Sequence, residues 1–386
     1  MGIGDFDPVF PSPLKRIILT VMISIDFSGA EFKCEEEKIV PFLEAFKQKD
    51  QGFFDVLDED ISELEKFVAE QKPLERTVVL GIGGSALGAK MLRDGLGGHN
   101  LAVLDTIDPV AVNTIKDLEK TRFIVISKSG TTLETKKLLD HFWEKVPHEN
   151  FIVITERESE LWTWAGKNSV PAVPVPINIV GRFSVLTTVG ILPALFAGID
   201  VKAVIEGAKK MRMQFRSPSV NGNLPFQLAS AIVNSGKTKL VHFPYVALLR
   251  KMGDWWTQLV AESTGKEGKG YTPISAIGPT DQHSLLQLLT EGPDEFFTIF
   301  VKNDFHDNTT LGILVNAELK ATAQSLRELY RPNCIIKMDN LTEKSLGELI
   351  GLWMGTVVFL GEFLEINVFN QPGVERGKEI ARGLIK

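Results

Sequence analysis

The stretch at residues 123–135 reads FIVISKSGTTLET, an apolar run that ends in a turn rich in hydroxyl side chains and continues as a helical pattern. A turn between a strand and a helix presents backbone N–H groups and the positive end of the helix. Together with the hydroxyls, these donors favour a phosphate monoester. The turn lacks the Gly-Lys-Ser/Thr ending of a nucleotide P-loop. Because Ser and Thr also favour helix N-caps, a capped helix start without a ligand is the alternative.

Strand-like and helical stretches alternate along the chain on both sides of this turn. Short apolar runs occur at residues 77–80, 101–104, 123–126, 151–154, 238–243, 296–301 and 334–338. We expect the Pro-rich residues 171–176 to close the first group, a long helical stretch over 183–215 to follow, and the chain to be helical from about Leu346. Continuous apolar runs separated by helices are typical of parallel sheets. The pattern therefore predicts an α/β fold of two domains, each a mainly parallel sheet flanked by helices (three-layer α/β/α), with C-terminal helices.

Composition excludes several classes of protein. The 386 residues are 44% hydrophobic and 24% charged, as in a globular protein of about two domains. The net charge of −7 argues against nucleic acid and anionic membranes as partners. Cys34 and Cys334 lie far apart without metal-ligand spacing, which favours reduced thiols. Residues 17–25 fit a buried strand better than a signal peptide, and we expect no other run of the roughly 18 apolar residues that span a membrane. A cytoplasmic location is the prediction.

Residues 81–86 support a competing hypothesis. They read GIGGSA after a strand, which matches the dinucleotide fingerprint, and Asp105 and Asp108 lie about the right distance onward to bind a ribose. An NAD-dependent oxidoreductase is therefore one alternative. Glycines at such a turn equally allow the backbone to approach a sugar or a phosphate.

Two segments carry candidate charged groups for catalysis. Gln258 and Glu262 are four residues apart on a predicted helix and therefore share one face. A Glu beside apolar neighbours can serve as a catalytic base, although a solvated surface Glu is the common alternative. Arg182 follows a Gly turn, where its guanidinium could stabilise a phosphate or a developing oxyanion.

His283 and Lys378 are candidates for proton transfer. His283 lies in a DQHS segment after a Gly-Pro turn, where Asp281 or Ser284 could simply cap the following helix. The histidines form no metal-like cluster, which argues against a metalloenzyme. Lys378, considered alone, fits a solvated lysine as well as a catalytic one.

Six segments, taken in order, resemble those of the glucose-6-phosphate isomerase family. They are GIGGS at 81–85, SKSGTT at 127–132, GRFS at 181–184, ESTGKE at 262–267, DQHS at 281–284 and QPGVERGK at 371–378. The resemblance implies two sugar-isomerase (SIS) domains with the site between them. The ranges are then 1–35 for an N-terminal extension, 36–200 and 201–345 for the SIS domains, and 346–386 for a helical segment that completes the site.

The resemblance also implies an activity, the reversible conversion of glucose 6-phosphate into fructose 6-phosphate in glycolysis and gluconeogenesis. It implies no metal or organic cofactor. The partner is a second copy of the chain, because family members form homodimers in which the neighbouring subunit supplies the histidine. Neither nucleic acid nor a membrane is expected as a partner.

Roles for individual residues follow from the matching motifs. Glu262 is the implied base of a cis-enediol(ate) mechanism, Arg182 stabilises its negative oxygen, and His283 and Lys378 assist ring opening. The implied substrate-binding residues are Gly84, Ser85, Ser127, Lys128, Ser129, Thr131, Thr132, Gln258 and Gln371.

The sequence departs from the family pattern at two positions. Val180 stands where Gly is usual, and Asn370 where Asp is usual, which affects local backbone geometry rather than a proposed catalytic group. A non-catalytic sugar-phosphate sensor on the same fold is a further alternative. It would not require Glu262, His283 and Arg182 together. An isomerase that also accepts mannose 6-phosphate is another alternative.

Overall fold

The computed structural model describes residues 23–30, 33, 35–49 and 52–384, and its strands form two five-stranded sheets. The strands are β1 (Ile23–Gly29), β2 (Arg76–Leu80), β3 (Leu101–Leu104), β4 (Thr121–Ile126), β5 (Phe151–Thr155), β6 (Ala172–Pro174), β7 (Lys239–Pro244), β8 (Thr272–Ser275), β9 (Phe296–Asn303) and β10 (Asn333–Met338). The α-helices are α1 (Ile39–Lys49), α2 (Ser62–Glu70), α3 (Leu87–Leu96), α4 (Pro109–Val112), α5 (Leu133–Trp143), α6 (Glu160–Lys167), α7 (Thr188–Phe196), α8 (Val201–Phe215), α9 (Leu224–Asn234), α10 (Arg250–Thr264), α11 (Gln282–Glu291), α12 (Thr310–Glu328), α13 (Glu343–Leu364) and α14 (Glu375–Leu384). Short 3-10 helices at Gly83–Ser85, Gly181–Leu186 and Pro372–Val374 lie near the site.

The first sheet has the strand order β3-β2-β4-β5-β6 and is parallel throughout. Every residue of β4 and β5 is buried, as expected for strands that helices cover on both faces. The four strands predicted here are confirmed. The Pro-rich segment 171–176 contains the unpredicted strand β6, whose three residues are too few to form an apolar run.

The second sheet has the order β1-β10-β9-β7-β8, and only β1 is antiparallel to its neighbour. The three strands predicted here are confirmed. Of the strand predicted at 17–25, residues 17–22 lie outside the described residues, and β1 covers the remainder. Strand β8 was not predicted, because its TPIS sequence contains a proline and half of its residues are exposed.

The continuous helical stretch predicted over 183–215 is wrong. The chain instead forms the 3-10 helix Gly181–Leu186, then α7 and α8. Gly198 has a left-handed φ of 74°, and the Asp200 carboxylate accepts a hydrogen bond from the Ala203 amide at 3.1 Å. A left-handed glycine ends a helix and an Asp N-cap begins the next one, so both signals were present in the sequence.

Helix α13 lies at the centre of the second unit and packs closely against α8. A Cβ on Gly207 would lie 1.9 Å from the Lys344 carbonyl oxygen, so only glycine allows these backbones to approach so closely. Among the described residues, α13 is the one helix long and apolar enough to cross a membrane, whereas no such run was expected from the sequence. Since 89% of its apolar window is buried inside the protein, it has the surroundings of a core helix.

Helix α1, in the predicted range 36–200, also packs against helices from the later part of the chain. The Phe42 ring packs edge-on against Phe363 of α13, and Phe46 packs against Phe215 of α8. The first sheet directs the carboxyl ends of β2 and β4 to one edge, because parallel strands end on the same side. The turns that follow these two strands therefore lie side by side, facing the last turn of α10.

Candidate active site

Helix α10 presents Gln258 and Glu262 on one face, as predicted. Gln258 Nε2 donates a hydrogen bond to Glu262 Oε1 at 2.8 Å. The preceding apolar neighbours, Leu259 and Val260, are fully buried, whereas the Glu262 side chain is 31% exposed. The Glu262 carboxylate is thus oriented by the helix and still accessible to a ligand, unlike a freely solvated surface Glu.

Arg182 is the most extensively bonded side chain of the site, and it is only 1% exposed. Its Nη1 donates to Glu262 Oε2 at 3.1 Å and to Gln371 Oε1 at 2.9 Å. Its Nη2 donates to the carbonyl oxygens of Val368 and of Asn370. Burial lowers the pKa of Arg182, and the Glu262 carboxylate opposes this effect. The guanidinium remains charged, because its pKa is intrinsically very high.

The predicted hydroxyl-rich turn connects β4 to α5. Ser129 Oγ and Thr131 Oγ1 lie 2.9 Å apart, and Ser127 Oγ donates to Thr132 Oγ1 at 3.0 Å. Thr132 is the N-cap residue of α5, yet within the described residues its side chain accepts no hydrogen bond from the helix. The N–H groups of the first turn therefore keep their capacity to bind an anion. The alternative of a capped helix start is not what the structure shows.

These groups surround a cavity of about 550 Å³. The hydroxyl turn and the start of α5 form one wall, and the last turns of α10 with Arg182 form another. Val374 and Ala381, from the C-terminal segment, also line it. The cavity brings together these predicted residues: Gly84, Ser129, Thr131, Thr132, Arg182, Gln258, Glu262 and Gln371.

Two glycine-rich turns meet at the cavity with their backbones in contact. A Cβ on Gly84 would lie 2.3 Å from the carbonyl carbon of Gly181, which no real side chain tolerates. Gly83 has a left-handed φ of 58°, and a Cβ there would lie 3.1 Å from Gln258 Nε2. The glycines of 81–85 are therefore required to bring the turn against Arg182 and α10.

Three predicted substrate-binding residues do not line this cavity. Lys128 Nζ donates to the carbonyl oxygens of Ile177 at 2.6 Å and Ile179 at 3.0 Å. Lys128 and Ser85 instead border a neighbouring cavity of about 20 Å³, and Ser127 is 1% exposed. In the structure these three side chains lie beside the turns that line the cavity, and the phosphate role predicted for Ser127 and Lys128 and the sugar-side role predicted for Ser85 stay predictions.

His283 and Lys378 occupy separate positions. His283 is exposed on the first turn of α11, beyond the carboxyl ends of β7 and β8. Its neighbour Asp281 does not cap this helix, since its carboxylate accepts a hydrogen bond from the Ile277 amide. Lys378 belongs to α14, the helix that contributes Ala381 to the cavity, and the side chain of Lys378 lies outside the described part of the chain.

Two residues of the ESTGKE motif that were not predicted as site residues, Ser263 and Lys266, lie at the site. Ser263 Oγ accepts a hydrogen bond from Arg182 Nε at 2.8 Å. Burial lowers the pKa of Lys266 to about 8, Arg182 acts in the same direction, and Glu262 and Glu267 oppose the shift. The sequence signal that could have found them was the motif itself. Residues that follow a proposed base within one short motif lie close to the partners of that base.

The rival dinucleotide hypothesis receives no support from Asp105. Its carboxylate accepts a hydrogen bond from Lys90 Nζ at 2.5 Å, which links β3 to α3. Within the part of the chain that the structure describes, no three His, Cys, Asp or Glu side chains are grouped to hold a metal ion.

Two mainly parallel sheets flanked by helices, with a hydroxyl-rich turn at the cavity, place the chain in the class of SIS-fold phosphosugar isomerases. The crystal structure of a hypothetical protein from Thermus thermophilus matches with a TM-score of 0.84 and 29% identity, covering 91% of this chain and 94% of that one. A glucose-6-phosphate isomerase from Chlamydia trachomatis also reaches a TM-score of 0.84, at 21% identity, over 95% of this chain and 89% of its own. The second match shows the shared fold.

Sequence relatives identify the family within this class. The model of the phosphoglucose isomerase family matches residues 34–323 and 315–386. The glucose-6-phosphate isomerase of Carboxydothermus hydrogenoformans is 35% identical over 99% of this chain and 94% of its own length. That of Methanocaldococcus jannaschii is 32% identical over 95% of this chain and 100% of its own. This chain belongs to the phosphoglucose isomerase family, which confirms the resemblance seen in the six motifs.

Proposed function

We propose that this isomerase-family protein interconverts glucose 6-phosphate and fructose 6-phosphate through a cis-enediol(ate), with Glu262 as the base. The observation that carries the proposal is the placement of two unlike walls around one cavity. The Glu262 carboxylate and the Arg182 guanidinium form one wall, and the hydroxyls of Ser129, Thr131 and Thr132 form the other. A base at one end and an anion site at the other suit a sugar that carries a terminal phosphate.

The phosphate end is supported by the start of α5. The uncapped N–H groups of its first turn and the hydroxyls of Ser129, Thr131 and Thr132 are donors for phosphate oxygens. Ser127 acts indirectly, since its hydroxyl donates a hydrogen bond to Thr132. Lys128 attaches the turn to the segment at 177–179 through two backbone carbonyls. Gly84 and Ser85 belong to the turn that borders the sugar.

Proton transfer is assigned to Glu262. Its carboxylate takes the proton from C2 of the open-chain aldose, and the C–H electrons form the C1–C2 double bond as the C1 carbonyl becomes an oxyanion. Returning that proton to C1, while the C2 hydroxyl passes its own proton to the C1 oxygen, gives the ketose. Arg182 stabilises the oxyanion, because preorganised charge lowers the barrier most where charge develops. Gln258 and Gln371 orient sugar hydroxyls and the two charged groups.

Ring opening is assigned to His283 and Lys378, and it requires a second subunit. Glu262 lies close to the start of β8, where the Tyr271 amide donates to Thr264 Oγ1 at 3.1 Å. His283 follows the opposite end of that strand and is exposed, so it does not share a cavity with Glu262 of the same chain. We therefore propose a homodimer in which each chain supplies His283 to its neighbour. We also propose a cytoplasmic enzyme of glycolysis and gluconeogenesis that needs no cofactor.

The test adds purified protein to fructose 6-phosphate in EDTA, with NADP-coupled oxidation reporting glucose 6-phosphate. Product formation that persists in EDTA supports a metal-free isomerase, whereas binding without turnover would reject this function in favour of a sensor. Repeating the assay with mannose 6-phosphate tests the range of substrates.

Sedimentation velocity tests the homodimer, and mixing Glu262→Gln with His283→Ala chains tests whether His283 is shared between subunits. Mixed dimers contain one intact site only if the histidine crosses the interface, so recovered activity is expected, and no recovery would reject sharing.

A further inference from the structure

The segment at 365–371 contributes Gln371 to the lining of the cavity, and it is held through its backbone. It connects α13 to the C-terminal helices and ends at Gln371, which bonds Arg182. Arg182 also bonds the carbonyl oxygens of Val368 and Asn370. These contacts hold the segment from one side, the side of the 3-10 helix Gly181–Leu186.

A tight turn holds the same segment from the other side. Lys266 and Lys269 face each other across this turn, where the Lys269 amide donates to the Lys266 carbonyl at 2.8 Å and the Lys266 amide donates back at 3.2 Å. The two residues between them have left-handed φ values, 55° at Glu267 and 73° at Gly268. Such a turn places the two facing residues as an antiparallel pair, so both lysine side chains leave on the same side.

Both ammonium groups reach the end of α13 and the segment after it. Lys269 Nζ donates to the carbonyl oxygen of Leu364, the last residue of the helix, at 2.8 Å. Lys266 Nζ donates to the carbonyl oxygen of Asn367, within the segment. Cations are favoured at helix carboxyl ends, and hydrogen bonds from charged donors are stronger than neutral ones. The ESTGKE motif therefore carries a base at its first position and a backbone contact at its fifth.

We propose that Lys266 is a positioning residue, which clamps the segment at 365–371 so that Gln371 and the helices beyond it stay closed against Arg182. Charged groups that influence its ammonium are Arg182, Glu262 and Glu267, and Lys269 lies across the turn. The kinetic part of this proposal rests on the proposed isomerase function. The structural part does not, because it concerns the opening of a defined backbone segment.

Hydrogen–deuterium exchange tests the clamp without reference to activity. In Lys266→Met, which keeps the side-chain stem, amides at 366–371 are expected to exchange about tenfold faster, the loss expected for one charge-assisted hydrogen bond. Lys269→Met is the matched control, since its contact lies at the helix end before the segment, and it should leave those amides nearly unchanged. Unaltered exchange in Lys266→Met, or equal acceleration in both variants, would overturn the proposal.

Kinetics then test the consequence for the site. The kcat of Lys266→Met is expected to fall about tenfold, while inhibition by inorganic phosphate changes less than about twofold, because the hydroxyl turn is untouched. Lys266→Arg should recover most of the lost kcat. Equal losses of kcat and phosphate affinity without rescue by Arg would indicate general damage and overturn the positioning role. Native protein without isomerase activity would reject the proposed function and leave the exchange result as the test of the clamp.

Discussion

Helix α10 buries polar groups in two opposite ways along its length. Near its carboxyl end, Glu262 accepts hydrogen bonds on both carboxylate oxygens, one from Gln258 and one from Arg182. In its middle, Trp256 packs against His242 and Trp353, and among the described residues the ring nitrogens of all three have no hydrogen-bond partner. One helix therefore supports a polar network at the site and a polar cluster without such partners in the core.

The difference between the two ends of α10 shows where this fold satisfies its polar groups with hydrogen bonds and where it does not. An unpartnered buried polar atom costs free energy, whereas Arg182 has hydrogen-bond partners that hold its charge in place. The core cluster contributes through its ring area, since Trp256, Trp353 and His242 are each fully buried. We expect substitutions at the site end to act on catalysis and those at the core end to act on stability.

The largest effect is expected for Glu262→Gln. The amide keeps the shape of the side chain but cannot accept the C2 proton, so kcat should fall by at least about a thousandfold, as for loss of a general base. Stopped-flow or coupled assays measure kcat, and calorimetry with inorganic phosphate provides the control, because phosphate binding should persist. Near-normal turnover would show that Glu262 is not the base.

Arg182→Met should affect both catalysis and stability. In the proposed mechanism it removes the partner of the oxyanion, so kcat should fall about a hundredfold or more. It also leaves buried acceptors without donors, so the free energy of unfolding should fall by about 3–5 kcal/mol. Arg182→Lys is the matched control, since it keeps the charge but cannot reach all the acceptors. Its kcat and its free energy of unfolding should lie between those of the native protein and those of Arg182→Met. Urea denaturation measures the stability loss, and equal stability of Met and native proteins would contradict the network.

His242→Phe tests the core end through its pH dependence. Burial lowers the pKa of His242 to about 3, so the folded protein keeps it neutral while the unfolded chain binds a proton below pH 6.5. Its contribution to stability is complete above pH 6.5 and is lost as the pH falls towards 3, by about 1.4 kcal/mol per unit. Between pH 7 and pH 5, native protein should therefore lose about 2 kcal/mol more than the Phe variant.

Urea denaturation at the two pH values measures this difference in the His242 test. His242→Gln is the control, because it keeps a polar side chain that does not titrate. Both variants should show the same flattened pH dependence, although the Gln variant should be the less stable. An unchanged slope in the Phe variant would show that His242 is not the proton-linked group.

The smallest expected effect is a difference in stability between Phe substitutions at two adjacent tryptophans. Trp255 Nε1 donates to the Arg182 carbonyl oxygen at 3.1 Å, whereas Trp256 Nε1 has no partner among the described residues. Replacement of each by Phe removes the same ring volume, but only Trp255→Phe breaks a hydrogen bond. We expect Trp255→Phe to cost about 1 kcal/mol more of unfolding free energy. Equal losses of unfolding free energy in the two variants would show that the hydrogen bond of Trp255 does not distinguish the site end of α10 from its core end.

Much of the fold was predictable because it depends on local patterns. The seven apolar runs became seven strands, since a run buried on both faces of a parallel sheet leaves an unmistakable signal. Strands β6 and β8 were missed, because three or four residues with proline leave no such signal. The break between α7 and α8 was missed for another reason, which is that hydrophobicity continued through the turn at Gly198.

The sequence by itself determined which residue types are candidates for the site, because the predicted phosphate-binding and proton-transfer residues stand in ordered motifs. It also determined the family, on six such motifs. Only the tertiary structure decided which of those side chains face the cavity: Lys128 contacts backbone carbonyls, Arg182 binds the segment at 365–371, and His283 is not among the residues that line the cavity. The physical reason is that side-chain partners are set by packing between segments far apart in the chain, and no local pattern encodes that packing.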